Sequence, residues 1–296
     1  IGYGASEGGR DYVPTEISRQ TLWDTYMPPY QAGIEAGAAT IMSSFNSING
    51  LPVNGDRYLL TDVLKKQFGW DGMIVSDYDA VKQLVYQGAA ADHRQCAEIA
   101  ANAGLDIDMA DLCYYHNLAS LVTEGKVSES TIDDAVRRIL RLKFRLGLFE
   151  HPYAPVTSPS ERFTLPGDRE TVMRLAEESA VLLKNDGVLP LGQKPGKIAL
   201  VGPMAKDLWG QVGSWGGHPL AEDVITLHKA MTDEFGAANV LYAKGCGFEG
   251  DDRSGFAEAL TAARQADIVV LCLGELTKWS GENGIRSTLA LPEIQE

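Results

Sequence analysis

The chain has 296 residues, 45% hydrophobic and 22% charged, and its 26 lysine and arginine against 40 aspartate and glutamate give a net charge of −14. That mixture excludes whole-chain disorder, and at ~100–200 residues per domain the length allows about two domains, each with its own core. The acidic balance excludes an electrostatic nucleic-acid binder, and neither a polybasic membrane-surface segment nor an apolar run of the ~18–20 residues that span a bilayer is present.

The chain opens Ile1-Gly2-Tyr3-Gly4, with neither an initiator Met nor the regions of a signal peptide, as expected of a mature form or a fragment. Apolar runs at 38–45, 73–75 and 105–109, each preceded by a glycine (Gly37, Gly72, Gly104) and followed by a helical stretch, predict three strands. Their spacing of 32–35 residues is close to one βα unit of an eight-unit barrel, and the alternation predicts a parallel sheet. About three or four such units fit before residue 150, so residues 1–150 are expected to form a partial barrel, truncated upstream. Residues 130–147 predict a helix capped by Ser130 with Asp133 and closed by Gly147. Its Ile132, Val136, Ile139, Leu140 and Phe144 share a face, with Arg137, Arg138 and Arg141 on the other. Four prolines predict an extended linker over 151–167. Residues 168–296 alternate again: helix 169–184, strand 197–201, helix 221–235, strand 240–243, helix 255–265 and strand 268–273. The expected class is α/β, the C-terminal part of a (β/α)8-type barrel followed by an open α/β sandwich domain, both truncated. Cys96, Cys113, Cys246 and Cys272 have no CxxC spacing and are expected in the core.

Carboxylates carry most of the chemical signal. Asp77 directly follows an apolar strand in Ile74-Val75-Ser76-Asp77-Tyr78, the end at which α/β barrels place their active sites. The same position suits a cap for a helix beginning Asp79-Ala80-Val81. Asp106 and Asp108 form a rival pair, on one strand face at i, i+2 spacing, where like charges repel unless paired. No His or Cys spacing nearby favours a metal there, and none is expected. In the second half Glu282 lies on the glycine-flanked loop Trp279-Ser280-Gly281-Glu282-Asn283-Gly284, either presented to a neighbouring domain or simply solvated, with Glu275 as competitor. No G-x-S-x-G elbow supports a serine nucleophile. Val201-Gly202-Pro203 after a strand is a poor phosphate cradle, because proline has no N–H to donate. The five histidines show no paired ligand spacing.

Taken together the residues resemble glycoside hydrolase family 3, most of all its bacterial, periplasmic-type β-glucosidase branch. The resemblance runs over nearly the whole chain: Gly2-Tyr3-Gly4-Ala5-Ser6-Glu7-Gly8-Gly9, Tyr26-Met27-Pro28-Pro29-Tyr30, Ser44-Phe45-Asn46-Ser47-Ile48-Asn49-Gly50, Gly69-Trp70-Asp71-Gly72, the Asp77 segment, Lys143-Phe144-Arg145-Leu146-Gly147-Leu148-Phe149, Ser179-Ala180-Val181-Leu182-Leu183-Lys184-Asn185 and Leu189-Pro190-Leu191. It implies that Asp77 is the nucleophile and that Glu282, in a Ser-Gly-Glu pattern with Arg286 four residues on, is the acid/base. The chemistry it implies is retaining, exo-acting hydrolysis of β-glycosides with no cofactor, on a β-linked oligosaccharide or glycoside, with the site built between the two halves. Met42 is implied beside the bound sugar, and Tyr78 stands where the family commonly has Trp, a smaller stacking platform. The family's Lys-His sugar-binding pair normally lies just before the Gly-Tyr-Gly stretch, upstream of Ile1. β-Xylosidase or broader exo-β-glycosidase activity, and a non-catalytic carbohydrate-binding fragment, are the alternatives. The N-acetylglucosaminidase branch takes its acid/base histidine near the glycine-rich opening, and residues 1–92 contain no histidine. A periplasmic or secreted location is implied; oligomeric state is not.

Overall fold

The chain divides into two units, Ile1–Pro155 and Val156–Glu296, and the computed structural model describes residues 3–155, 167–217, 221 and 224–296. Most of the linker expected at 151–167 therefore lies outside the described residues.

In the first unit a helical stretch running from Arg19 ends in helix α1 (Met27–Glu35), with Pro28 and Pro29 directly after a π-wound turn, Leu22–Tyr26. Strand β1 (Thr40–Ser43), a short hairpin of β2 (Ser47–Ile48) and β3 (Leu51–Pro52), the π-wound helix α2 (Tyr58–Gln67) and strand β4 (Met73–Ser76) follow. Helices α3 (Gln83–Tyr86), α4 (His93–Ala103), α5 (Cys113–Thr123) and α6 (Glu129–Arg145) complete it. β1 and β4 pair in parallel, Ile41 opposite Ile74 and Met42 opposite Val75. Ile74 and Ser76 are buried, Ile74 in a core with Leu60, Leu64, Leu84, Ala97 and Ala100, while the alternate positions Met42 and Val75 are open or half-open, as the two-residue period of a strand requires.

The third expected strand, 105–109, is reduced to one parallel bridge between Val75 and Ile107. Main-chain bonds hold that bridge, the Ile107 N–H donating to the Ile74 carbonyl at 3.1 Å and the Ser76 N–H to the Ile107 carbonyl at 2.9 Å. Side chains extend it: the Ile74 N–H donates to Asp106 Oδ2 at 2.8 Å and the Met109 N–H to Ser76 Oγ at 2.8 Å. Helix α6 is capped by Ser128 and not by Ser130, the Ser128 Oγ accepting from the Thr131 N–H at 3.1 Å. Gly147 follows its end in the left-handed conformation, φ +67°. Its arginines grip the turn before β4: Arg138 Nη1 donates to the carbonyls of Trp70 and Gly72 at 3.1 and 2.9 Å, and Arg145 pairs with Asp71 at 2.7 Å.

The second unit begins with α7 (Asp168–Ser179), which stops short of the expected 184 because Ala180 turns extended (φ −74°, ψ 124°). The run Val181-Leu182-Leu183 is too short for periodicity to tell helix from extended chain. Strand β5 (Ile198–Val201), helix α8 (Leu208–Val212), helix α9 (Leu227–Phe235), strand β6 (Val240–Ala243), helix α10 (Phe256–Gln265) and strand β7 (Ile268–Leu271) follow. α9 starts six residues later than expected, where Thr226 Oγ1 accepts from the Lys229 N–H at 3.2 Å; Glu222 and Asp223 lie outside the described residues. The three strands are parallel in the order β6-β5-β7. Ile198 and Leu200 face Met231 and Phe235 of α9, and Ala199 faces Ala259 and Ala262 of α10, so helices cover both sides of a strand that reads as a continuous apolar run. Gly202 approaches β7 so closely that a Cβ there would lie 2.3 Å from the Cys272 carbonyl oxygen: packing, not phosphate binding, accounts for this glycine. All four cysteines are buried and unpaired by disulfides. Among the described residues no helix is long and apolar enough to cross a membrane.

Candidate active site

Asp77 is the first residue beyond β4, half-buried, at the C-terminal end of a parallel strand. Buried Ser76 anchors it: the Ser76 hydroxyl donates to the Asp77 carbonyl oxygen at 2.8 Å while receiving the Met109 N–H. Asp77 Oδ1 accepts the Tyr78 N–H at 2.7 Å, and among the described residues no hydrogen-bond partner reaches Oδ2.

Asp77 does not cap a helix at 79–81. That stretch is a turn with Asp79 at φ +56°, and the short helix α3 begins only at Gln83. The free N–H groups ahead of α3 go to another acid: Val81 and Lys82 donate to the Asp111 carboxylate at 2.7 and 3.2 Å. Burial pushes the Asp111 carboxyl above its usual range, the Val81 N–H drawing it part of the way back. Asp111 escaped the sequence reading although it too is a carboxylate just beyond an apolar run; its partners lie about thirty residues upstream, and nothing in the local pattern points to them.

The rival pair is committed to structure. Asp106 is buried, bonded to Lys65 Nζ at 2.7 Å and to the Ile74 N–H. Burial raises its carboxyl, with Lys65 opposing. Asp108 Oδ2 accepts the Tyr114 N–H at 2.8 Å, and among the described residues its buried Oδ1 has no hydrogen-bond partner. The two aspartates thus take separate partners. Among the described residues no group of three or more His, Cys, Asp or Glu could hold a metal ion.

Met42 is 51% exposed on β1, directly beside Val75 in the parallel register. Asp77 is two positions beyond Val75, just past the end of the strand beside it. Tyr78, 65% exposed, leaves the same strand end.

Glu282 lies in the second unit, exposed, on the loop that follows β7. Its competitor Glu275 is half-buried and occupied: Arg286 Nε lies 2.8 Å from Glu275 Oε1, an ion pair without hydrogen-bond alignment. The Arg286 guanidinium also stands 5.0 Å from the centre of the Trp279 ring, and its Nη2 donates to the Ala290 carbonyl at 3.3 Å. Arg286 therefore ties the two ends of the loop together, with Glu275 as its counter-charge.

Asp77 thus stands at a parallel strand end without capping a helix, and Glu282 stands on a braced loop after a parallel strand of the second unit. Residues 1–142 match the Glycosyl hydrolase family 3 N terminal domain and residues 180–296 match the Glycosyl hydrolase family 3 C-terminal domain. The chain belongs to glycoside hydrolase family 3. It is 37% identical to the periplasmic beta-glucosidase of Salmonella typhimurium over 99% of its own length and 42% of the relative's, and 32% identical to a beta-xylosidase of Formosa agariphila over 100% and 43%. Among solved structures, beta-glucosidase from Listeria innocua in complex with glucose superposes with a TM-score of 0.90 at 35% identity, covering 99% of this chain and 40% of that one. The chain thus spans about two fifths of the length of the relatives it matches.

Proposed function

We propose that the protein containing this chain is a retaining, exo-acting β-glycosidase that releases terminal glucose from β-linked oligosaccharides or glycosides. Asp77 attacks the anomeric carbon while Glu282 protonates the leaving oxygen. Glu282 then takes the proton of the water that frees the sugar. Retention requires the two carboxyl groups within about 5–5.5 Å across the scissile bond. The observation that carries the reading is that Asp77 stands at the end of β4 with no capping task, since Asp111 holds the N–H groups it was suited to hold. Met42 lines the sugar and Tyr78 offers a stacking face to the aglycone. The first unit, on this reading, belongs to a (β/α) barrel and the second to an open α/β sandwich, each continued by chain outside these 296 residues, with residues 151–167 as the linker. A periplasmic or secreted location rests on the periplasmic designation of the Salmonella relative.

Glucose as the sugar rests on the glucosidase relatives and on the glucose seated in the Listeria protein; the Formosa relative makes β-xylosidase activity the second reading. Reaction with a 2-deoxy-2-fluoro-β-glucosyl inactivator and peptide mapping tests the nucleophile. The label is expected on Asp77, and a label elsewhere contradicts the assignment. Comparing kcat/KM on aryl β-glucoside and aryl β-xyloside decides the sugar, with the glucoside expected to be preferred.

A further inference from the structure

The loop that presents Glu282 is held by a residue from far back in the sequence. After β7 a short 3-10 turn, Thr277–Trp279, leads into Ser280-Gly281-Glu282. Ser214, in the turn after α8, donates its hydroxyl to the Thr277 carbonyl oxygen at 2.9 Å and stands 2.9 Å from Ser280 Oγ. A serine has one proton to give. With that proton on the Thr277 carbonyl, Ser280 is the donor of the second bond, and one hydroxyl grips both the turn and the residue two before Glu282.

The same serine explains the glycine that precedes Glu282. A Cβ on residue 281 would lie 2.5 Å from Ser214 Cβ and 3.0 Å from its Oγ. Gly281 also sits at φ +91°, a conformation that L side chains rarely adopt. The close approach of Ser214 and the backbone turn are separate demands, and both fall on the peptide from which Glu282 departs.

We propose that Ser214 is a positioning residue for Glu282, fixing the 280–282 peptide and so the direction in which the carboxyl leaves the loop, a role that rests on Glu282 being the acid/base. Ser214 itself touches no reacting atom in this account. A misplacement of ~1 Å costs a catalytic group about 10²-fold, and the loss is largest where the leaving group needs its proton.

The test uses the intact protein that contains this chain, with Ser214→Ala, Gly281→Ala and Glu282→Ala each measured on an alkyl β-glucoside and on 2,4-dinitrophenyl β-glucoside. Ser214→Ala keeps the Cβ contact and loses both hydrogen bonds. Its kcat/KM is expected to fall about 10- to 100-fold on the alkyl glucoside and less than about 3-fold on the activated one, with the unfolding midpoint within about 2 °C of wild type. Gly281→Ala is expected to show the same split. If Glu282→Ala shows the split and Ser214→Ala shows none, or loses equally on both substrates, the positioning role is overturned while the acid assignment stands. If Glu282→Ala shows no split, the acid assignment fails and takes the proposal with it.

Discussion

The Asp111 carboxylate takes the N–H groups of Val81 and Lys82, which leaves Asp77 at the end of β4 with, among the described residues, the Tyr78 N–H on one oxygen and no partner on the other. The division of labour makes a two-sided prediction. Asp111→Ala strands the buried Val81 donor and the part-buried Lys82 donor and is expected to cost about 1–3 kcal/mol of stability. Asp77→Asn is expected to change stability by no more than about 0.5 kcal/mol while lowering turnover of β-glucosides at least about a thousandfold. Thermal denaturation and turnover measured on both variants check it, and the reverse pattern would exchange the roles of the two residues. The place of Asp77 at a strand end was legible from the apolar run before it, but that run alone left a helix cap as the commoner use of such a residue. Asp111 has the same local signature and a wholly structural task, which shows that the pattern finds strand-end acids without sorting them. The Arg286 ion pair with Glu275 was hidden for the same reason: partners eleven positions apart across a loop leave no periodic trace.

At the scale of elements, the parallel strands were readable where their apolar runs are buried on both sides, as in β5 and β6. The 105–109 segment was readable in part: it pairs with β4 in parallel at Ile107, but to either side the Asp106 and Ser76 side chains take the N–H groups of Ile74 and Met109, and sequence cannot say which acceptor a strand N–H will choose. Helix ends slipped where two hydroxyls compete, Ser128 prevailing over Ser130, or where an apolar triplet fits either state, as at 181–183. Asp106 gives this scale its pH dependence. Burial raises its carboxyl in the folded chain, so above the ordinary aspartate value of about 3.9 the native state holds a proton the unfolded chain has lost. The contribution is complete below that ordinary value and is lost as pH rises through the raised one. Asp106→Asn cannot titrate. Plotted against pH from about 3 upward, the wild-type unfolding midpoint is therefore expected to fall relative to that of the variant across this window. A difference that grows in favour of wild type would contradict the burial argument.

For the molecule as a whole, each unit has a parallel sheet and a core of its own, and each holds one of the two carboxylates proposed to be catalytic. The α/β class and the order of elements followed from alternation and glycine punctuation. The roles proposed for Asp77 and Glu282 came instead from motifs shared with a family, because a pair 205 positions apart in sequence carries no spacing rule. The most direct test of those roles is the stereochemistry of rescue. Azide is to be supplied to Asp77→Ala and to Glu282→Ala of the intact protein with an activated β-glucoside, and the glucosyl azide formed in each is to be identified. If Asp77 is the nucleophile and Glu282 the acid/base, Asp77→Ala yields the α-azide by a single displacement. Glu282→Ala yields the β-azide through the glucosyl-enzyme. The opposite anomers, or no azide product from either variant, would contradict the account.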